Sequence, residues 1–165
     1  MKYMEITIRH YEERDRDALE ECMNGQQMYL AGLDPLKQFK RFDDGGKKYR
    51  DWLVREVQKL NGAILMACEG NKVVGFIAGY VVPHDEPDRE TRIKALPGSI
   101  QDIYVREEYQ SRGIGGKLMA AFEAYLKSKG CDEVWVDAFI PNPRSVKFYE
   151  REGYTSQFVE MLKKI

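Results

Sequence analysis

Apolar residues recur along the chain with two different periods, and these periods predict its strands and helices. Met4, Ile6 and Ile8 alternate with polar neighbours, which predicts that the chain opens with a strand. Apolar residues at helical spacing predict helices over residues 15–30, 47–60, 114–128 and 142–152. Strand-like runs predict strands over residues 63–69, 72–82, 99–105 and 133–139, and a strand or strand pair over residues 154–162.

Turn signals separate these elements and give their order. Asn61-Gly62 ends the second helix, and Gly70-Asn71 is a hairpin signal between the second and third strands. Residues 83–97 form a polar loop that contains three prolines. The resulting order, βααββ–βα–βαβ, contains no repeat and no internal linker. We therefore predict a single α/β (α+β) domain over residues 1–165, with a mixed sheet and helices on both of its faces.

Composition and charge narrow the class of protein. The chain has 165 residues, of which 43% are hydrophobic and 32% are charged, as in ordinary globular domains. Its net charge of −1 argues against a general nucleic-acid binder, which usually carries a basic excess. The longest apolar run, residues 63–68, is too short to cross a bilayer, and residues 1–10 contain no apolar leader segment. We expect a cytoplasmic protein that binds neither nucleic acid nor membrane.

The cysteines and histidines do not suggest a metal site. Cys22, Cys68 and Cys131 are far apart and odd in number, so free thiols in a reducing compartment are expected. His10 and His84 are the two histidines of the chain, and neither lies in a metal-ligand spacing with the cysteines. A lone loop histidine such as His84 is usually solvated, and we do not predict a catalytic role for it.

The sharpest chemical signal is the glycine-rich turn, residues 110–116, between a strand and an amphipathic helix. The start of a helix leaves N–H groups unpaired and carries a positive partial charge, and glycines let the backbone approach a ligand closely. The turn is therefore suited to a pyrophosphate, with Arg112 and Lys117 as added charge. A dinucleotide-binding fingerprint or a P-loop would need glycine at Leu118 or Ser111, respectively. A tight turn without a ligand is the alternative.

Two motifs lie in the second half of the chain. In the first, Gln110-Ser111-Arg112-Gly113-Ile114-Gly115 follows Ile103-Tyr104-Val105 at the end of a strand. In the second, Asn142 is followed by the run from Phe148 to Tyr154. Together the motifs span residues 99–154. They resemble the two signatures of the GNAT superfamily of acetyl-CoA-dependent N-acetyltransferases, Gln/Arg-x-x-Gly-x-Gly/Ala after a strand and Asn followed by Phe/Leu-Tyr-Glu-x-x-Gly-Phe/Tyr. The resemblance implies a mostly antiparallel central sheet in one acetyltransferase domain.

The resemblance also implies a role for each matching residue, with acetyl-CoA as co-substrate and no metal. Backbone groups of Ile103 and Val105 would pair with the pantetheine arm, N–H groups of residues 111–116 would hold the pyrophosphate, and Asn142 would contact the arm. The implied cofactor-binding residues are Ile103, Tyr104, Val105, Gln110, Ser111, Arg112, Gly113, Ile114, Gly115, Gly116, Lys117 and Asn142. Tyr149 would be the catalytic residue that protonates the leaving thiolate.

Both motif side chains have structural alternatives. Tyr149 lies three residues after Val146 and could pack inward. Asn142 is a good helix N-cap before Pro143, and capping is compatible with a cofactor contact.

The general base is left open by the sequence. Strand alternation puts Ser99 and Gln101 on one face of the fourth strand and Asp102 on the other, unless a bulge intervenes. Asp102 is a candidate, with a water relay or an amine that arrives neutral as alternatives.

The acceptor is also open: a small-molecule amine, a protein lysine or a protein N-terminus. We expect residues 32–48 and 83–97 to determine it, with Tyr29, Phe39, Phe42 and Tyr49 as possible walls. The competing hypotheses are a non-catalytic acyl-CoA-binding sensor and transfer of a longer acyl group or transfer to a hydroxyl. The resemblance makes a homodimer possible.

Overall fold

The computed structural model describes residues 5–83, 93 and 95–165. Within these residues the chain forms five strands and four α-helices, with 3-10 turns at Glu13–Asp15 and Glu107–Tyr109. In chain order the elements are β1 (Ile6–His10), α1 (Arg16–Leu33), α2 (Lys47–Lys59), β2 (Ala63–Glu69), β3 (Lys72–Val81), β4 (Pro97–Val105), α3 (Ile114–Ser128), β5 (Glu133–Val136) and α4 (Pro143–Arg151).

The strands form one mixed, mostly antiparallel sheet, as predicted, and their order in the sheet is β1-β2-β3-β4-β5. The first four strands are antiparallel neighbours, and β4 and β5 are parallel. One face packs on α1 and α2 through residues such as Leu19, Leu53 and Phe76. The other face packs on α3 through residues such as Ile77 and Phe122. Each of these buried side chains contributes about 1.5–3 kcal/mol, which fixes the sheet between two helical layers.

A bulge interrupts β4 near its middle. Ala78 of β3 lies opposite Asp102, whereas the next residue, Gly79, lies opposite Ile100, so Gln101 is the extra residue. The bulge reverses the alternation of side chains: Ile100 packs in the core on the α3 side, while Asp102 faces α1 and α2. Without it, Ile100 and Asp102 would share a face.

Strands β4 and β5 separate beyond their first residues. They pair from Pro97 opposite Glu133 to Ile100 opposite Val136, where β5 ends. Strand β4 continues to Val105. Among the described residues no strand pairs with residues 101–105 on the β5 side, so this part of β4 has an open edge.

The prediction for the C-terminal residues is wrong. Residues 154–165 form no regular secondary structure, and Phe158 is 82% exposed. The apolar residues Phe158, Val159, Met161 and Leu162 fall in adjacent pairs, so a strand could not turn them all to one face. Strand β5 is also shorter than predicted, because residues 137–142 leave the sheet to reach α4. Over the described part of the chain, no helix is long and apolar enough to span a membrane.

Candidate active site

The glycine-rich turn has an unusual backbone. Ser111 has φ of 63° and Gly113, which precedes α3, has φ of 74°, so both lie in the left-handed region. The first N–H of α3 bonded within the helix is that of Lys117, which donates to the carbonyl of Gly113 at 3.1 Å. The preceding N–H groups, including those of Ile114 and Gly115, therefore have no helical acceptor. These groups and the helix dipole make the turn an anion-binding cradle.

The glycines of the turn serve different purposes. Gly113 has open space around it, and its conformation is what favours glycine. A Cβ on Gly115 would lie 3.2 Å from the ring of Phe148 in α4. A Cβ on Gly116 would lie 3.4 Å from the carboxylate of Glu152. The second and third glycines thus allow the close approach of α3 and α4.

The side chains of Arg112 and Lys117, which the sequence suggested as cofactor cations, have different surroundings from each other. The Nη2 of Arg112 donates to the Glu108 carbonyl at 2.7 Å, and its guanidinium lies 4.9 Å from the centroid of the Tyr109 ring. Arg112 is therefore turned back onto the preceding loop. Lys117 is exposed on the first turn of α3.

Arg144 on α4 approaches the turn instead, and sequence reasoning missed it. Its Nη1 donates to Oε1 of Gln110 at 2.7 Å, and its Nη2 donates to Oγ of Ser111 at 3.2 Å. The Nε2 of Gln110 in turn donates to the carbonyl of Val105 at 2.9 Å. One side-chain network thus joins the end of β4, the turn and α4. The signal in the sequence was a basic residue two positions after Asn142.

Asn142 caps α4, as predicted. Its Oδ1 accepts from the N–H of Ser145 at 3.3 Å and from the hydroxyl of Tyr29 at 3.4 Å. The side chain is 8% exposed, yet no described residue accepts a hydrogen bond from its Nδ2. A buried amide donor without an acceptor is costly, and it points to a missing partner at this position.

Tyr149 is buried at 9% exposure between Phe148 and Tyr154. Burial, followed by the charges of Asp102 and Asp137, raises its pKa to about 12. Its hydroxyl has no hydrogen-bond partner among the described residues. The ring is packed and the hydroxyl is unused, so the core-packing and catalytic interpretations are compatible.

Asp102 lies beneath α1 and α2 at the β4 bulge. Its carboxylate accepts from the hydroxyl of Tyr49 at 2.7 Å and from Nε2 of Gln26 at 3.1 Å. Burial raises the pKa of Asp102, and the two hydrogen bonds oppose this shift without cancelling it. Tyr49 is held by ring contacts with Phe42 and Trp52. The carboxylate is thus fixed in place and more basic than an exposed aspartate.

The remaining candidate residues of β4, Gln101 and residues 103–105, contact other parts of the molecule. Gln101 donates to Oγ of Ser99 at 2.8 Å. The side chain of Tyr104 packs toward α1, where a Cβ on Gly25 would lie 2.6 Å from its hydroxyl. Ile103 and Val105 pack on the opposite, α3 side. For residues 103–105 the backbone is therefore what the open edge can offer a ligand. His84 lies outside the described residues.

Aromatic side chains follow α1 on the side facing residues 139–142. Asp34 is buried and accepts from the N–H groups of Leu36, Gln38 and Phe39. Burial would raise the pKa of Asp34, but these backbone bonds outweigh it and lower the pKa. Phe39 then meets Phe139 edge-on, with ring centroids 5.1 Å apart. Asp34 thus fixes the segment that places Phe39 against Phe139, close to the N-terminus of α4.

The described residues also contain an open cavity of about 490 Å³ beside α1. It is lined by Asn24, Gly25, Met28, Arg41, Phe42 and Gly45. Phe42 stacks on Tyr49, so this cavity adjoins the side chains that hold Asp102. No group of His, Cys, Asp and Glu among the described residues could hold a metal ion, and the three cysteines are buried and unpaired.

The architecture and both motifs match those of acetyltransferases. A profile of the Acetyltransferase (GNAT) family matches residues 20–154, and the chain belongs to this family. An uncharacterised N-acetyltransferase of Methanocaldococcus jannaschii is 28% identical over 133 residues, which is 75% of this chain and 54% of the relative. The aminoglycoside N(6′)-acetyltransferase type 1 of Stenotrophomonas maltophilia is 23% identical over 62% of this chain and 65% of its own length.

A solved structure is similar over the whole fold. AAC(6′)-Iy, in complex with the bisubstrate analogue CoA-S-monomethyl-acetylneamine, has a TM-score of 0.69 and 19% identity, covering 98% of this chain and 99% of that chain. At this identity the likeness establishes the fold. The chain spans only about half to two-thirds of the length of the two curated relatives described above.

Proposed function

We propose that this chain is an N-acetyltransferase that moves the acetyl group of acetyl-CoA directly onto a primary amine in a ternary complex. The observation that carries this proposal is the pair Tyr149 and Asp102. One is a buried phenol with an unused hydroxyl, and the other is a fixed carboxylate close enough to raise its pKa. Family membership and the CoA-derived ligand of AAC(6′)-Iy support the same chemistry.

The described residues fit acetyl-CoA at three places. The N–H groups that precede Lys117 have no helical acceptor and suit a pyrophosphate. No described residue accepts from the buried Nδ2 of Asn142, and a pantetheine carbonyl would supply that acceptor. The open edge of β4 at residues 103–105 suits an extended, amide-containing arm. The carbonyl of Val105 already accepts from Gln110, so Ile103 offers the freer backbone groups.

Acetyl-CoA supplies an activated thioester carbonyl, and the side chains divide the proton transfers. Asp102, directly or through a water, takes a proton from the amine, because burial makes it a stronger base than an exposed aspartate. N–H groups on the open edge of β4 stabilise the negative charge that develops on the carbonyl oxygen. Tyr149 stays protonated at neutral pH with a pKa of about 12 and donates to the departing sulfur.

The atoms balance without another reactant. The amine nitrogen bonds to the carbonyl carbon as the carbon–sulfur bond breaks. The ammonium loses two protons as it becomes an amide: the base releases one to solvent, and the other restores to Tyr149 the proton that it gave to the sulfur. A primary ammonium and a thioester thus give an amide, a thiol and one proton.

For the acceptor we propose a primary amine of a small molecule or of a protein lysine or N-terminus. One relative acts on aminoglycosides by its name, which supports a small-molecule amine. Tyr29, Phe39 and Phe139 form an aromatic wall beside the N-terminus of α4, where we expect the acceptor to enter. A cytoplasmic location and a homodimer are further proposals, and sedimentation would test the second.

The decisive experiment follows release of free CoA thiol at pH 7 to 9 from acetyl-CoA and a panel of amines. The panel contains amino acids, polyamines, aminoglycosides, lysine peptides and peptides with free N-termini. Release that requires one amine class and falls in the Tyr149→Phe variant supports the proposal. A protein that is stabilised by acetyl-CoA but inert with every amine would instead be an acyl-CoA sensor. Faster release of CoA thiol from longer acyl-CoA thioesters would replace the acetyl group in the proposal. Faster release with alcohols would replace the amine.

A further inference from the structure

We propose that Arg144 is the cation that binds the cofactor's pyrophosphate, and that it does so while holding the glycine-rich turn against α4. This inference rests on the proposed use of acetyl-CoA. It adds to that function a residue whose type neither signature motif specifies. The side chain of Arg112, within the turn, donates back to the Glu108 carbonyl, whereas the side chain of Arg144 donates to Gln110 and Ser111 of the turn.

The position of the guanidinium supports this role. Arg144 follows the N-cap Asn142 by two residues and reaches across to Gln110 and Ser111, which lie 34 and 33 residues away. Ser111 is one of the two residues of the turn with positive φ, so Arg144 contacts the turn where its backbone is most unusual. Its charge therefore adds to the positive end of α3, where the N–H groups that precede Lys117 have no helical acceptor.

The donors of Arg144 are only partly used. An arginine carries five N–H donors in a rigid fork, and the described contacts occupy one donor on each of Nη1 and Nη2. Arg144 is exposed, so the remaining donors face solvent beside the turn. A guanidinium so fixed loses little freedom when it binds a phosphate, and its fork matches phosphate oxygens better than an ammonium does.

The network also connects two parts of the proposed site. Gln110 donates to the carbonyl of Val105 and accepts from Arg144, so its amide spans β4 and α4. Asn142 and Tyr149 belong to the same short helix. Arg144 is thus both a phosphate ligand and a positioning residue for Gln110.

The test compares four ligands that need no acceptor amine: pantetheine, 4′-phosphopantetheine, 3′-dephospho-CoA and CoA. Their dissociation constants are measured by equilibrium competition against labelled CoA for wild type, Arg144→Gln, Arg144→Lys and Lys129→Gln. Lys129 lies just beyond the far end of α3, so its substitution makes the same charge change about 20 Å from the turn.

We expect Arg144→Gln to weaken binding of 3′-dephospho-CoA and CoA about tenfold each, and to leave pantetheine within twofold. Arg144→Lys should recover part of this loss, and Lys129→Gln should match wild type. Equal loss for pantetheine would mean that Arg144 only maintains the fold. A loss confined to CoA would assign Arg144 to the 3′-phosphate, and no loss would remove it from the site. If wild type binds none of the four ligands, the proposed function itself fails.

Discussion

The two sides of the proposed site are held together in different ways. On the cofactor side, the turn at residues 110–116 offers backbone N–H groups, and the start of α3 at Ile114 sets their positions. On the acceptor side, around Asp102, the polar groups are side chains held by contacts from α1 and α2. The backbone turn can bind the same cofactor whichever acceptor is used. The side chains around Asp102, in contrast, can be changed by substitutions in α1 and α2, and the acceptor specificity with them.

The largest effect that would test this division is expected from Tyr149→Phe. The hydroxyl has no hydrogen-bond partner among the described residues, so its removal leaves the packing of the ring intact. Turnover should fall about 10²–10⁴-fold, as for the loss of a general acid, while the affinity for acetyl-CoA stays within twofold. Initial rates and equilibrium binding measure the two quantities. Unchanged turnover would remove Tyr149 from the mechanism and leave it a core residue.

The next effect concerns Asp102→Asn. A base must be ionised, so wild-type kcat/KM should rise with pH through the raised pKa of Asp102. The amide cannot take a proton, and we expect kcat/KM at pH 7 to fall about 10²-fold with loss of this limb of the profile. A profile that keeps its shape in the variant would transfer the role to a water relay or to an amine that arrives neutral.

The same substitution should have the opposite effect on stability. Because the folded-state pKa of Asp102 is raised, its stabilising contribution to the free energy of unfolding is fully present below the unfolded pKa and is lost as pH rises through the folded pKa. At neutral pH the buried carboxylate is ionised, which costs stability. Asp102→Asn removes this cost and should raise Tm by about 2–4 °C, which corresponds to about 1 kcal/mol. A calorimetric scan at pH 7 measures it. A lower Tm would mean that the hydrogen bonds from Tyr49 and Gln26 outweigh the cost of burial.

A smaller, paired effect separates the two roles of Asn142. Asn142→Asp keeps an acceptor for the N–H of Ser145 but loses the amide donor, so it should weaken CoA binding about tenfold with little change in Tm. Asn142→Ala loses both, and should in addition destabilise the fold by about 1 kcal/mol. Binding and thermal unfolding of the two variants provide the comparison. If the aspartate variant binds CoA as wild type does, Asn142 is only a cap.

The same contrast explains what could be predicted from the sequence. The first five strands, α3 and the cap of α4 depend on period, turn residues and capping signals that lie within a few positions of one another. The partners of Asp102 could not be found in this way, because Gln26 and Tyr49 are 76 and 53 residues distant. Arg144 was missed for the same reason. The C-terminal strand was predicted from a strand-like run of residues, and the sheet of the described residues contains no strand there.

The smallest expected effect tests whether backbone conformation governs the cofactor side. Gly113 has positive φ with open space around it, so Gly113→Ala meets no atom and pays only for the left-handed conformation, about 1–2 kcal/mol. Asn tolerates this region better, and Gly113→Asn should lose less. Without ligand, Tm should therefore be highest for wild type, lower for Gly113→Asn and lowest for Gly113→Ala. Equal Tm values for all three would show that the turn is free to relax, and the helix start would then be a less rigid cradle than its φ values indicate.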